Sequence, residues 1–540
     1  MKRVATNQLV KKSWELCIGI ELHAQVQSVS KLFSGGAAEK QYHKQYGGPN
    51  SQVALFDVAI PGTLPRLNQH CVEQAVKTGI ALGGKIHKVS TFERKHYFYA
   101  DMPQGFQITQ QKHPISSNGS VNISVPKSRD NSKRFEVYER KINISQLQIE
   151  QDSGKSVKDV EPTKTLLDFN RAGCALMEII SEPDMRSSLE AAAYVKKIQR
   201  ILRHIGSCDG NMEDGSLRCD VNVSIRPQGE TDLLGERTEI KNLNSIKGIV
   251  NAIDFEYNRQ IELAESGNPI QNKETRSFDA ATGETSLMRK KEGSSDYRFM
   301  PEPDLPPLVV SEAFIREART NIPELPDALE DRLHRKYDLS KYETSVLVDE
   351  PGAAKYFEVV MGMLEKGDSS ITGSQVWNLL INEVLGRLNN LVLPIKSCLE
   401  DRSLLPPKNF VCLITMQEQG SISGKIVKKV LDVVFDGDDH RDHILQGGDP
   451  GEKDPEIIVT KNNWFQITDT GVITDLCNSV LADEKYADEI ARYVDGSAPK
   501  LFGFFVGTVL KKSGGKANPK LVNSILKGLL DARRRTPTTE

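Results

Sequence analysis

The chain has 540 residues, too many for one ordinary domain, so two to four domains are expected. Apolar residues make up 38% and charged residues 26%, the make-up of globular material with large cores, and no stretch approaches the ~18–20 consecutive apolar residues of a membrane span. A formal charge of −3 excludes whole-molecule attraction to phosphate, and eight scattered cysteines without a C-x-x-C pair exclude a ribbon-type zinc site and fit a reducing compartment.

Taken in chain order, the N-terminus carries Lys2, Arg3, Lys11 and Lys12 before its first acid, Glu15, a start suggestive of an organellar presequence. The alternation in Ile18-Gly19-Ile20-Glu21-Leu22-His23 predicts a strand with Glu21 and His23 on its polar face. Asn68 can cap a helix with Cys71, Val72, Ala75, Val76 and Ile80 on one stripe, stopped by Gly83–Gly84. Arg94 and Lys95 stand at an exposed strand end in Phe92–Tyr99, and Leu147–Asp152 repeats the alternation with Gln148, Glu150 and Asp152 on the polar side. Ser187–Glu190 fits a capping box before a helix running to Gly206. The run Leu217–Ile225 is the cleanest alternation in the chain, presenting Arg218, Asp220, Asn222 and Ser224 together. A further strand adds Arg237, Glu239 and Lys241. Asn244 opens another helix, with Gly267 beyond its end. Pro301-Glu302-Pro303-Asp304-Leu305-Pro306-Pro307 continues neither helix nor central strand, which sets a boundary near 310. Residues 311–395 read as a helical domain, and 396–540 as a helical tail that turns basic near its end.

One wet face of an antiparallel sheet would give the same alternation. Solvated faces favour Thr, Lys and Ser, however, whereas these faces repeatedly set single carboxylates beside Asn, Arg or His. If the strands join in one sheet, Glu21, His23, Glu150, Asp220 and Glu239 converge, and a divalent cation or Arg and Lys partners must compensate their repulsion. An oxygen-rich cluster of this kind suits Mg²⁺, which in such sites bridges to substrate phosphates. No G-x-x-x-x-G-K-[ST] loop and no strand-linked G-x-G-x-x-G occurs, so bound ATP would be held by basic side chains and metal: Arg94, Lys95, Arg218 and Lys241 are the candidates. The amidase Ser-Ser-Lys chemistry has no recognisable seat, since Ser294-Ser295 lies in a charged, irregular stretch. Ammonia, if it is a reactant, then comes from another chain.

The segments Gly19–His23, Arg94–Tyr99, Glu150–Lys155, Asp168–Gly173, Ser181–Asp184, Gly215–Asn222, Glu239–Ser245, Glu274–Arg276, Asp296–Asp304 and Lys516–Pro519 resemble, in order, the signatures of the B-type subunits of glutamyl-tRNA(Gln)/aspartyl-tRNA(Asn) amidotransferases. The resemblance implies an α+β chain: an N-terminal cradle domain (1–310, kinase-like and catalytic) with a curved, mainly antiparallel sheet and flanking helices, a helical domain (311–395) and an all-α tail (396–540) that grips tRNA. It implies an ATP-dependent carbon–nitrogen ligase with glutamine as amido donor. Such a protein phosphorylates the side-chain carboxylate of misacylated Glu-tRNA(Gln) with ATP and Mg²⁺, and ammonia from a partner amidase (A-type) subunit then yields Gln-tRNA(Gln). A small C-type or equivalent accessory subunit completes the complex. Carried over by position, Glu21, His23 and Glu150 hold the metal; Glu150, Lys95, Asp220 and Glu239 do the chemistry; Arg94, Lys95, Arg218, Asn222 and Lys241 hold ATP. Bacterial members read His-Met-Glu-Glu-Asp where this chain has Gln148-Ile149-Glu150-Gln151-Asp152. The Gln-rich version resembles the organellar branch and implies the mitochondrial matrix.

Near the C-terminus Lys500, Lys511, Lys512, Lys516, Lys520, Lys527, Arg533, Arg534 and Arg535 face one acid, Asp531, and Lys425, Lys428 and Lys429 form a second basic group. Such patches bind RNA backbone through counterion release, and Lys511, Lys512, Lys516 and Lys520 are the expected tRNA contacts. Two other readings fit the sequence: a non-catalytic tRNA-binding scaffold whose acidic face has degenerated at Gln148 and Gln151, and a free-standing metal-dependent nucleotide hydrolase.

Overall fold

Alternating residues of period two and capped helices of period 3.6 sort the first half of the chain into one large sheet and the helices packed on it. The computed structural model describes residues 13–38, 47–127, 136–161, 164–230, 235–290, 297–367, 370–399, 403–435 and 453–535. The basic N-terminal residues up to Lys12 and the pair Ser294-Ser295 lie outside them.

The described strands are β1 (Trp14–Gln25), β2 (Lys85–Ile86), β3 (Val89–Ser90), β4 (Glu93–His96), β5 (Phe106–Thr109), β6 (Ser116–Pro126), β7 (Val137–Gln151), β8 (Lys155–Glu161), β9 (Lys164–Asp168), β10 (Ala175–Ser181), β11 (Leu217–Pro227), β12 (Thr238–Leu243), β13 (Glu274–Asp279), β14 (Glu284–Lys290), β15 (Met300–Pro301) and β16 (Leu308–Val309). Nine of them form one sheet in the order β14-β13-β12-β11-β1-β10-β7-β6-β2. Every pairing is antiparallel except that of β12 with β13. All four expected strands therefore lie in one sheet, with β10 inserted between β1 and β7. Their apolar faces, with Ile18, Ile20, Leu22, Ile149, Val221 and Val223 fully or almost fully buried, pack against the helices Gln69–Ala81, Ser188–His204 and Ile246–Glu265 in one core. Burial of this apolar area is the main force holding the sheet's polar side chains in a fixed register.

The caps set where the helices begin. Asn68 Oδ1 accepts from His70 N at 2.9 Å, and the helix ends at Ala81, before Gly83 enters the left-handed region at φ 67°. Ser187 Oγ accepts from Glu190 N at 3.1 Å, but the Glu190 carboxylate accepts from Arg186 N (2.6 Å) and Arg140 (3.0 Å), so the expected capping box is half closed. In the third helix the cap is Ser245, one residue beyond Asn244, which faces the cavity described below.

The chain divides into two compact units, 1–326 and 327–540. The first thus extends past the expected boundary at 310, because Val310, Ala318 and Leu325 still pack into the sheet's core. Every named element of the second unit is a helix, with one isolated β-bridge between Ile467 and Ala517. Its first core runs from Leu329 to Val459 without a break at 395: Leu388, Ile395, Cys398, Leu405 and Phe410 share it, and Tyr356 Oη donates to Leu405 O at 2.9 Å. One packed core thus spans the division expected at 395/396. Pro394 and Pro406-Pro407 interrupt helices there, yet the 3-10 turn Ile395–Leu399 stays packed between them. A separate core, Ile473 to Leu530, belongs to the last helices.

Candidate active site

Antiparallel register fixes which side chains meet. His23 on β1 stands opposite Glu178 on β10 and Arg218 on β11; Glu21 stands opposite Asp220; Gln148 on β7 stands opposite Glu178. Because i and i+2 share a face, one side of the sheet carries Gln148, Glu150, Glu178, Glu21, His23, Arg218, Asp220 and Asn222 as a continuous polar strip. β12 joins it through a bulge: the register with β11 slips between Cys219 and Val221, and Asn242 takes φ 65° there. A bulge turns a strand locally, and here Lys241 meets both Asp220 and Glu239, at 2.9 Å from the latter.

A cavity of about 320 Å³ opens over the strip, lined by His23, Lys95, Tyr97, Glu150, Arg218 and Lys241 among others. His23 Nε2 lies 3.6 Å from Glu150 Oε1 and 3.6 Å from Glu178 Oε1, and one ligand atom from each residue falls within 4.8 Å of the others. Glu150 and Glu178 are 2% and 7% exposed. Burial raises the pKa of Glu150 despite Lys95 nearby, and burial together with the Glu150 charge pushes Glu178 up to about 7. Two carboxyls in this setting form a site short of positive charge. One imidazole and two carboxylates suit Mg²⁺ with water or phosphate oxygens filling the remaining positions, so the donor set fits the metal.

The expected metal set Glu21, His23 and Glu150 is therefore split. Glu21 belongs to a second group with Asp220 and Glu239, where Asn222 Nδ2 donates to it at 2.9 Å and the Lys241 ammonium already bridges the other two. Burial opposes the charge on Lys241, but Asp220 and Glu239 outweigh it and raise the pKa. The residue that completes the first group, Glu178, was not singled out from the sequence. Its only signal is a lone acid in the apolar run Ala175–Ile180.

Lys95 lines the cavity, with Nζ 5.1 Å from the Tyr297 ring centre. Arg94 does not, because neighbouring residues of β4 point to opposite faces. Its guanidinium is paired with the buried Glu302 at 2.7 and 2.8 Å and lies 4.2 Å over Phe106, so Arg94, expected to hold phosphate, does not line this cavity. Arg218 donates to Asp152 at 2.7 Å while facing the cavity. Gln148, on the Glu150 face, donates to the Glu178 carboxylate and accepts from Gln146 at 2.8 Å. Gln151 points to the other side, toward Gln104 Oε1 (3.0 Å) and Phe106 O (3.4 Å). Of the two glutamines that mark this chain, only Gln148 touches the metal-fitting group.

In the second unit, Lys511 and Lys512 end the helix Leu501–Lys512, Lys516 sits in the following turn and Lys520 opens the helix Pro519–Arg535; all four are exposed. Arg533 and Arg534, also exposed, donate to Leu481 O (3.0 Å) and Val494 O (3.0 Å), with Arg534 over the Tyr493 ring. Lys428 pairs with Glu383 at 2.7 Å. No helix among the described residues is long and apolar enough to cross a membrane.

Residues 16–316 match the GatB/GatE catalytic domain, and residues 358–530 match the GatB domain. The chain is 42% identical to the mitochondrial B-type subunit of the glutamyl-tRNA(Gln) amidotransferase of Phytophthora infestans, covering 97% of this chain and 96% of that one. It is 45% identical to the B-type subunit of the aspartyl/glutamyl-tRNA(Asn/Gln) amidotransferase of Rickettsia africae (96% and 98% covered) and 44% identical to that of Zymomonas mobilis (96% and 98%).

Proposed function

The chain belongs to the GatB family, the B-type subunits of tRNA-dependent amidotransferases, and from that premise we propose that it uses Mg²⁺ and ATP to phosphorylate the side-chain carboxylate of misacylated Glu-tRNA(Gln). The γ-phosphoryl group passes to a carboxylate oxygen, giving an acyl phosphate and ADP. Ammonia from a partner glutaminase (A-type) subunit forms the new C–N bond, the C–O bond to phosphate breaks, and Gln-tRNA(Gln) and phosphate leave. A carboxylate is a poor electrophile, so phosphorylation is what makes its carbonyl attackable.

The observation that carries this reading is the meeting of His23, Glu150 and Glu178 on three adjacent strands, beside a cavity lined by Lys95 and Arg218. His23, Glu150 and Glu178 would hold Mg²⁺, which when bound neutralises phosphate oxygens during transfer. Lys95 and Arg218 add positive charge where it develops on the transferring group. Asp152 orients Arg218, and Lys241 offsets Asp220 and Glu239 along the cavity wall. The exposed Lys511, Lys512, Lys516 and Lys520 would take tRNA phosphates. A small C-type or equivalent accessory subunit would complete the assembly. The mitochondrial matrix is the proposed site of action, supported by the Phytophthora infestans relative and by the glutamines at 148 and 151.

The test is tRNA-stimulated ATP cleavage by the purified complex. Glu150→Ala and Glu178→Gln should each lower it by about a hundredfold or more, the scale of losing one electrostatic partner of the transition state, with circular dichroism unchanged. Unimpaired turnover in both variants would refute the assignment.

A further inference from the structure

The segment after β4 carries three successive aromatic residues, Tyr97, Phe98 and Tyr99, which the proposed chemistry does not use. Tyr97 lines the cavity. Tyr99 meets it edge to face, with ring centres 5.7 Å apart, and is 60% exposed. Together they make an aromatic row that begins in the cavity and ends in solvent. The segment is well tied: Tyr97 N donates to Gly105 O (3.1 Å), Met102 N to Tyr99 O (3.0 Å), and Gly154 N to Asp101 O (2.8 Å). Phe98, 87% exposed, instead rests on Gly105, where an added Cβ would come within 3.0 Å of the ring. Neither Phe98 nor Tyr99 lines the cavity itself; Tyr99 reaches it through its contact with Tyr97.

We propose that Tyr99 is the stacking platform for the 3′-terminal adenine of the aminoacyl-tRNA. This rests on the reading above, in which the reacting carboxylate enters the cavity. That carboxylate is joined to the terminal ribose through one ester and the short glutamyl chain, so its base must sit at the cavity mouth, and the exposed ring continuous with the cavity wall is Tyr99. The adenine of ATP lies beyond a ribose and a triphosphate and is not tied to the mouth in the same way. Base-on-ring stacking needs only an open aromatic face on a held backbone, and Lys95 and Arg218 behind it supply the positive field that draws the nucleotide in.

The experiment uses the complete complex and Glu-tRNA(Gln) whose terminal adenine is replaced by 2-aminopurine, a base whose fluorescence is quenched on stacking. Wild type and Tyr99→Trp should quench it. Tyr99→Ala should lose the quenching and raise KM for the tRNA about tenfold or more, with KM for ATP within about twofold. Phe98→Ala, an equally drastic loss of exposed ring, should behave as wild type. Unchanged quenching in Tyr99→Ala, a rise in KM for ATP in place of tRNA, or loss of the complex on gel filtration would each overturn the proposal; the last would mark the ring as a contact with another protein of the complex. Quenching by a wild-type complex that does not turn over would count against the phosphorylation reading and leave the base platform standing.

Discussion

Gln148 and Gln151 are three residues apart, and the alternation of a strand gives them separate tasks. Gln148 donates to Glu178 and so orients a carboxylate of the metal-fitting group, whereas Gln151 bonds Gln104 and Phe106 on the far face. Groups that orient ligands typically contribute 10–100-fold to metal affinity. Gln148→Leu should therefore weaken Mg²⁺ binding to the purified chain by about tenfold or more, and Gln151→Glu should leave it within about twofold. Isothermal titration with Mg²⁺ measures both. A larger effect at 151 than at 148 would contradict the assignment. The sequence ranks these two residues alike because both replace polar groups of bacterial relatives. Only the register with β10 tells them apart.

The same contrast holds among whole elements. The strands β1, β7, β11 and β12 are legible in the sequence because their apolar and polar residues alternate cleanly, and so are the capped helices at Asn68 and Ser187. β10 is not, because a strand buried between two others reads as a plain apolar run, and Glu178 is hidden with it. Loop packing is equally silent. Lys31, fully buried, pairs with Asp57 at 2.8 Å and reaches Phe169 O at 3.3 Å, and Ser34 and Ala54 N also bond Asp57. This joins three loops and anchors the segment that sets Arg171 3.4 Å from Asp152. Removing one member of a buried pair strands the other, so Lys31→Met should destabilise the first unit by about 3–5 kcal/mol. Lys31→Met with Asp57→Leu should cost clearly less than Lys31→Met alone, since no buried charge is then left unpaired. Urea unfolding monitored by circular dichroism reads both; equal loss in the single and double variants would show that packing, not charge, sets the cost.

Over the whole molecule, the α+β class and the helical second half follow from periodicity, whereas unit boundaries do not. Pro-rich runs near 301–307 and at 406–407 interrupt helices and strands, but shared burial decides where a core ends, and it carries the first unit to 326 and the next core across 395. In the same way, the run of exposed C-terminal cations divides by bonding into lysines at helix ends and turns and two arginines that donate to backbone carbonyls. The account depends on His23, Glu150 and Glu178, more than 150 residues apart at their extremes, sharing one cation. Crystals of the chain soaked in Mn²⁺ as a substitute for Mg²⁺, with anomalous scattering recorded at the manganese edge, test this most directly. The account predicts a peak bonded to His23 Nε2 and to carboxylate oxygens of Glu150 and Glu178, lost in Glu178→Gln. A peak confined to Glu21, Asp220 and Glu239, or no peak on the sheet at saturating metal, would contradict it.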